Sequence, residues 1–273
     1  MNQLAIPTDE VVSLDAIADG VFGLRTVFVN VFAVMADDGW VLVDAGLYGS
    51  AANILRWATQ HVDDRPLNAI ILTHAHFDHV GAVQQLSDTS GVPVYIHHDE
   101  LDYLRGTKAY PPPDPFVGGG MMARLSGLYP RNPANFTGDA RALPAGGTVP
   151  HLPGWSWIHT PGHSAGHVSL FRASDRTLIV GDAFCTTKQE SLLAVATQRP
   201  EMHGPPAYFT TDWDAARESV RLLSELEPLA VAPGHGRPMA GEHTTAALHE
   251  LASRFNELAR PRNGRYVEHP VKG

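Results

Sequence analysis

The hexapeptide His74-Ala75-His76-Phe77-Asp78-His79 follows directly on the apolar run Ala69-Ile70-Ile71-Leu72. A short apolar run of this kind reads as a buried strand. The strand therefore delivers three imidazoles and a carboxylate to its own mouth within six positions. Each buried polar group costs roughly 2–7 kcal/mol unless it finds a partner. Whatever fold the chain adopts must bring complementary groups to this turn, and a divalent cation would satisfy all four at once.

The same arrangement recurs three more times along the chain. Trp157-Ile158-His159-Thr160-Pro161-Gly162 leads to His163, Leu178-Ile179-Val180-Gly181 to Asp182, and Val231-Ala232-Pro233-Gly234 to His235. Strand ends on one edge of a sheet converge, so residues far apart in sequence can build one site. Gly162, Gly181 and Gly234 permit the tight turns and close backbone approach that such loops need.

Composition narrows the partners. The 273 residues carry a net charge of −9, and no basic patch offsets it, which argues against nucleic acid or an anionic membrane. Met1 to Pro7 has neither the basic start nor the apolar length of a secretory signal, and Val27 to Met35 is too short to span a bilayer. One cysteine, Cys185, excludes an internal disulfide framework and fits a reducing, cytoplasmic setting. Fifteen histidines is a high count, which raises the weight of metal chemistry; His61, His243, His249 and His269 read as surface residues. The expected partner is a small-molecule substrate, with a homodimer left open.

Periodicity predicts strands over 20–29, 31–36, 40–43, 67–72, 92–96, 148–152, 155–159, 168–171, 177–180 and 229–232, with a hairpin turn at Asp37-Asp38-Gly39. Helices are expected over 50–62, 80–86, from Asp99, over 213–227 behind the N-cap Asp212, and over 242–259. Strand blocks and helices thus alternate twice, and Val41-Leu42-Val43-Asp44 weakly matches Ile179-Val180-Gly181-Asp182. Residues 105–135, with Pro111-Pro112-Pro113 and Gly118-Gly119-Gly120, read as a loop insertion holding at most one short helix, an active-site cover or an idle excursion.

The H-x-H-x-D-H cluster followed by a distant His, Asp and His resembles the metallo-β-lactamase superfamily of hydrolases, from Val41 to Gly236. The resemblance implies an α/β fold, a four-layer αββα sandwich, making residues 1–273 a single hydrolase domain. It implies that His74, His76 and His163 hold one divalent metal ion and Asp78, His79 and His235 a second, with Asp182 bridging. Zinc is the first expectation, and iron and manganese suit the same donors. Two ions about 3.5–4 Å apart share a water, lower its pKa and polarise a carbonyl or phosphoryl oxygen. A metal-bridging hydroxide would then cleave an ester-like bond: a lactone, thioester, carboxylic ester or phosphate ester. Asp78 and Asp182 are the catalytic carboxylates in that scheme, and Asp44 is read behind the ligands, fixing their geometry.

Asp182 points within the superfamily toward the glyoxalase II and lactonase-like branch, because the true β-lactamases lack a bridging Asp there. Lys188 departs from the glyoxalase II spacing, and Phe184 and Cys185 stand where lactonases usually carry a Tyr. The segment from Lys188 to Phe209 resembles bacterial metallo-hydrolases of unsettled substrate. Lys188 and His203 are candidates to meet an anionic substrate group. Tyr208, Phe209 and Trp213 are candidates for an apolar wall, with Tyr208 as an oxyanion donor; for Phe209 and Trp213, packing of the last helix is the plainer expectation. His97 and His98 read as ending a strand and capping a helix, His159 and His167 as structural, and Cys185 as a small buried hydrophobe. Two alternatives stand beside the hydrolase: a mononuclear iron enzyme resembling persulfide dioxygenases, and a metal-stabilised binding scaffold without turnover.

Overall fold

A computed structural model describes residues 10–131 and 134–271. The segment Met1–Pro7 and positions 132–133 of the expected loop lie outside the described residues. The chain forms an α/β fold with two mixed sheets, distributed over two compact units. One unit comprises Ser13–Tyr110 and Pro130–Trp157, the other Met1–Val12, Pro111–Tyr129 and Ile158–Gly273. Among the described residues no helix is long and apolar enough to cross a membrane.

The first unit holds a six-stranded sheet in sequence order. Its strands are β1 (Val21–Thr26), β2 (Val29–Met35), β3 (Trp40–Val43), β4 (Leu67–Ile71), β5 (Val94–Ile96) and β6 (Ala140–Ala142). Pairing is antiparallel from β1 to β3 and parallel from β3 to β6. Helices α1 (Ala51–Ala58), α2 (Phe77–Val80), α3 (Val83–Ser90) and α4 (Leu101–Leu104) fill the crossovers. In α1 the positions Ala51, Ile54, Trp57 and Ala58 are buried, the one-face spacing that drives an amphipathic helix onto a sheet. They join Leu42, Ile70, Leu72, Leu86 and Ile96 in one core. Each fully buried branched aliphatic there contributes about 1.5–3 kcal/mol.

The expected strand over 20–29 is interrupted. Thr26 pairs with Val29, so Val27 and Phe28 form a two-residue turn. Val27 takes φ 67° and is 80% exposed, a left-handed conformation that its β-branched side chain opposes. Turn chemistry gave no warning, because Asn or Gly normally marks such a corner. Strand β6 was unforeseen, and 148–152 carries only the isolated bridge between Thr148 and Ser156.

In the second unit the five-stranded sheet runs β11-β10-β9-β8-β7. The strands are β7 (Trp155–His159), which enters from the first unit, β8 (Val168–Arg172), β9 (Thr177–Gly181), β10 (Ala230–Pro233) and β11 (Met239–Ala240). Around them lie α5 (Met121–Leu125), α6 (Leu192–Thr197), α7 (Trp213–Glu225), α8 (Glu242–Ser253), α9 (Phe255–Leu258) and α10 (Arg265–Glu268). Asp212 caps α7 as expected, accepting from the backbone N–H groups of Asp214 and Ala215. The helix expected over 242–259 is divided at Arg254 (φ −117°, ψ 24°), and α6 was not anticipated. Most of the expected 105–135 loop belongs here. Gly120 lies so close to the Glu190 carbonyl that an added Cβ would sit 1.8 Å away, and Asp114 accepts from Arg265 N at 2.7 Å.

Gly241 gives α8 no capping side chain, and Glu10 substitutes for one. Its carboxylate accepts from His243 N at 2.8 Å and from Thr244 N and Oγ1 at 2.6 Å each. Burial alone would raise the Glu10 pKa, but the hydrogen bonds from Thr244 and His243 outweigh it and hold the carboxyl below its ordinary value. The stabilisation is therefore present above the unfolded carboxyl pKa and is lost as pH falls through the depressed one. Glu10→Gln is expected to cost about 1 kcal/mol near neutral pH. Thermal melts of the two proteins should converge as the pH is lowered toward the acid range.

Candidate metal centre

The ligand-type residues leave the ends of parallel strands. Val43 pairs with Ile71 in the β3–β4 ladder, so Asp44 and the His74 turn emerge side by side. Pro233 pairs with Gly181 across a bulge in the β9–β10 ladder, so Asp182 and His235 emerge in the same manner. Parallel pairing sends both chains off the same sheet edge, the usual place for function in mixed α/β sheets.

In the first unit, His74, His76, Asp78 and His79 are each at most 5% exposed. The His74 ring lies 4.6 Å from that of His76 and 4.2 Å from that of His79. Ligand-capable atoms lie within 4.8 Å of each other in the His74–His76, His74–His79 and Asp78–His79 pairs. Asp44, 1% exposed, takes φ 62° and accepts from Thr73 N at 2.8 Å, Thr73 Oγ1 at 2.9 Å and His79 Nδ1 at 2.7 Å. A carboxylate only accepts, so His79 carries a proton on Nδ1, and Nε2 is the nitrogen left to offer a lone pair. The Thr73 hydroxyl proton goes to Asp44; its oxygen, 3.1 Å from His74 Nδ1, therefore accepts from that ring. His74 is thereby held in the same tautomer.

The second unit repeats the device. Thr210 Oγ1 donates to the Pro206 carbonyl at 2.9 Å and accepts from His163 Nδ1 at 3.4 Å. His163 Nε2 then faces Asp182 Oδ2 at 3.5 Å, and His235 Nε2 faces the same oxygen at 3.1 Å. Behind Asp182 runs an ordered chain of buried groups. Asp182 N–H donates to His167 Nε2 at 2.8 Å, and His167 Nδ1 donates to Thr160 Oγ1 at 2.8 Å. Thr160 in turn donates to Ser169 Oγ at 3.1 Å, which donates to Val180 O at 2.7 Å. His167 thus has the structural role expected of it. Gly162 holds φ 130° against α7, where a Cβ would meet Ala216 N at 2.3 Å, and so sets the bend into His163.

These donor sets fit a divalent cation. His163 Nε2 and His235 Nε2 both approach Asp182 Oδ2, and a positive ion among these three atoms is attracted by the carboxylate and can accept both nitrogens. The Nδ1 atoms of His79, His74 and His163 are tied to Asp44, Thr73 and Thr210, the outer support typical of metal-bound histidine. Imidazole nitrogens mixed with carboxylate oxygens suit zinc, iron and manganese.

Several partners escaped sequence reasoning: Thr73, Glu100, Tyr110 and Thr210. Glu100 and Tyr110 are buried beside the His74–His76 turn, where Ala75 N lies 3.1 Å from Glu100 Oε2 and 3.0 Å from the Tyr110 hydroxyl. Burial, reinforced by the Glu100 charge, pushes the Tyr110 phenol well above its ordinary pKa and keeps it a donor. Nothing in their spacing marks either residue, and only the fold brings them to the turn.

The five residues proposed for substrate contact differ in setting. Phe209 sets its ring edge-on to His163, 6.5 Å away. Tyr208 is buried against Phe209 and Tyr129, and its carbonyl accepts from Asp114 N. Trp213 opens α7 and packs 6.2 Å from Phe255, on the terminal helices. Lys188 is half-buried, as is His203, whose backbone bonds reciprocally with that of Cys185. His97 accepts from Asp99 N, capping the turn that follows β5.

The profile of the family described as "Metallo-beta-lactamase superfamily" matches residues 24–235. The probable metallo-hydrolase YflN of Bacillus subtilis is 44% identical over 245 residues, covering 88% of this chain and 93% of that protein. The probable metallo-hydrolase YybB of the same organism is 27% identical, over 76% of this chain and 80% of its own length. Among solved structures, BLEG-1 B3 metallo-beta-lactamase is similar with TM-score 0.56 and 27% identity, covering 81% of this chain and 92% of that one. TTHA1623, solved in a di-iron-bound form, is similar with TM-score 0.53 and 29% identity, over 81% of this chain and 93% of that one.

Replacing Asp44 separates its acceptor role from its backbone role. Asp44→Ala strands buried donors on Thr73 and His79 and is expected to cost about 3–5 kcal/mol. Asp44→Asn keeps one acceptor oxygen and tolerates the left-handed backbone, so its cost should be roughly half of that. Urea denaturation midpoints of the three proteins check the order.

Proposed function

The chain belongs to the metallo-beta-lactamase superfamily of metallo-hydrolases, and from that premise we propose that it cleaves an ester-like bond at a dinuclear centre. His74, His76 and His163 would hold one divalent ion, and Asp78, His79 and His235 the other, with Asp182 shared. When bound, the ions supply an acidified water and polarise the carbonyl or phosphoryl oxygen under attack. The observation that carries the reading is the locked tautomer of His74, His79 and His163, each with Nδ1 tied to a hydrogen-bonded side chain and Nε2 presented. A neutral imidazole in that state is a ligand ready to bind without reorganising.

The protein's own groups then divide the work. Asp44 and Thr210 orient the imidazoles, and the Asp182–His167–Thr160–Ser169 chain fixes the backbone from which the shared carboxylate projects. Asp78 and Asp182 are the carboxylates available to accept a proton from the attacking water and return it to the leaving group. Phe209, edge-on to His163, is the residue from which an apolar substrate wall would begin. The family profile spans residues 24–235 and so runs through both units, which supports reading 1–273 as one hydrolase domain with its loop at 105–135.

Zinc is the proposed metal. The similarity to TTHA1623 in its di-iron-bound form favours iron as the second reading. A panel of aryl esters, lactones, thioesters, phosphodiesters and β-lactams, with metal content measured per chain, tests the proposal. Turnover of one of the ester-like substrates with about two ions per chain is expected, falling at least 100-fold in His76→Ala and Asp182→Ala. Turnover of β-lactams alone, or of nothing by the metal-replete protein, would overturn it.

A further inference from the structure

We propose that Glu100 and Tyr110 form a positioning clamp on the His74–His76 turn, setting how tightly those two imidazoles hold a divalent cation. The inference rests on the metal-binding role proposed above for His74 and His76.

Ala75 separates the two ligands in sequence, and its N–H is shared between Glu100 Oε2 at 3.1 Å and the Tyr110 hydroxyl oxygen at 3.0 Å. The Tyr110 hydroxyl donates to the same Glu100 oxygen, closing a three-membered network around the peptide. Glu100 is fully buried and Tyr110 is 5% exposed, so the network does not exchange freely with water. Fixing the plane of this peptide fixes the directions in which the flanking side chains leave the turn. Tyr110 also restrains one of them directly: its ring lies 4.3 Å from that of His76 and stacks on Tyr103 at 4.0 Å with a 4° interplanar angle.

The carboxylate matters as a charge as well as an acceptor. A buried anion is costly unless cations or strong donors compensate it, and a metal ion held by the adjacent turn would add that compensation. Cation binding and the clamp should therefore support each other. Tyr110 carries the linkage outward, because its N–H donates to Arg131 O at 3.2 Å and its carbonyl accepts from Arg131 Nε at 2.9 Å. These are the two stems from which the 111–129 segment leaves and to which it returns. The ligand turn, a ligand ring and both stems thus meet at one residue.

The test uses the full-length protein, stripped with a chelator, as wild type, Glu100→Gln and Tyr110→Phe. Zinc is titrated against a competing chromophoric chelator, the cobalt(II) form is examined by its visible spectrum, and hydrogen exchange is followed at the stems. Both metal-free variants are expected to keep the wild-type circular dichroism and a cooperative melt. Each should bind zinc about 10- to 100-fold more weakly than wild type and show a shifted cobalt spectrum. Zinc should slow exchange at the stems in wild type and fail to do so in Tyr110→Phe. Variants that bind zinc within twofold of wild type, with its cobalt spectrum, would overturn the clamp and leave the metal reading intact. A wild type that binds no zinc or cobalt would overturn that reading and the clamp with it. If Glu100→Gln does not fold, Tyr110→Phe, which removes a single hydroxyl, decides alone.

Discussion

A carboxylate buried at the end of one strand holds the His74–His79 turn in place. Asp44 joins the tip of β3 to the tip of β4 through Thr73 and to the ligand helix through His79. It does so from a left-handed backbone that costs energy for any residue with a Cβ. That strain persists because the surrounding bonds over-determine it. Ala45 N donates to the His79 carbonyl, and Gly81 N donates to Gly46 O, where a Cβ on Gly81 would lie 2.2 Å from Tyr48 N. Two turns are thereby pressed together along their backbones, and the side chains they carry lose most of their freedom before any ligand arrives.

The same economy governs proton placement. His74 and His163 each face on Nδ1 a hydroxyl whose own proton is already committed, Thr73 to Asp44 and Thr210 to Pro206, and His79 faces the acceptor Asp44. The direction of each hydrogen bond follows by elimination, and the direction determines which nitrogen carries the lone pair. His167 shows the converse. Its Nε2 accepts from a backbone N–H, so that ring is committed to holding Asp182 in place and has no nitrogen lone pair left to offer a metal. Histidines four residues apart, His163 and His167, differ in which ring nitrogens are engaged because of their hydrogen-bond partners and not because of their residue type.

Much of this was legible before the fold was known, and the division is physical. Strand-ending ligands announce themselves, because polar groups at the close of an apolar run need a strong reason to be there. The parallel pairs β3–β4 and β9–β10 were signalled by strand and helix alternation, and the weak match of 41–44 with 179–182 falls on the ends of β3 and β9. The supporting residues were illegible for the opposite reason. Thr73, Thr210, Glu100 and Tyr110 are ordinary in composition and spacing, and each depends on a partner between 10 and 47 residues away. The turn at Val27 was hidden because a β-branched residue occupies a corner that local preference assigns to Gly or Asn. Tertiary pairing of β1 with β2 overrode that preference.

The buried charges carry a consequence for stability. Asp44, Asp78, Glu100 and Asp182 are all 5% exposed or less, and buried imidazoles stand around them. Burying acids is unfavourable by itself, and hydrogen bonds offset only part of the cost. A cation bound by these nitrogens and carboxylate oxygens would relieve the remainder, so its binding free energy would be in part folding free energy. A site arranged in this way trades stability in the metal-free state for affinity and pre-orientation in the loaded one. The Glu100 carboxylate would belong to the same exchange, because a positive charge at the adjacent turn would offset the cost of burying it.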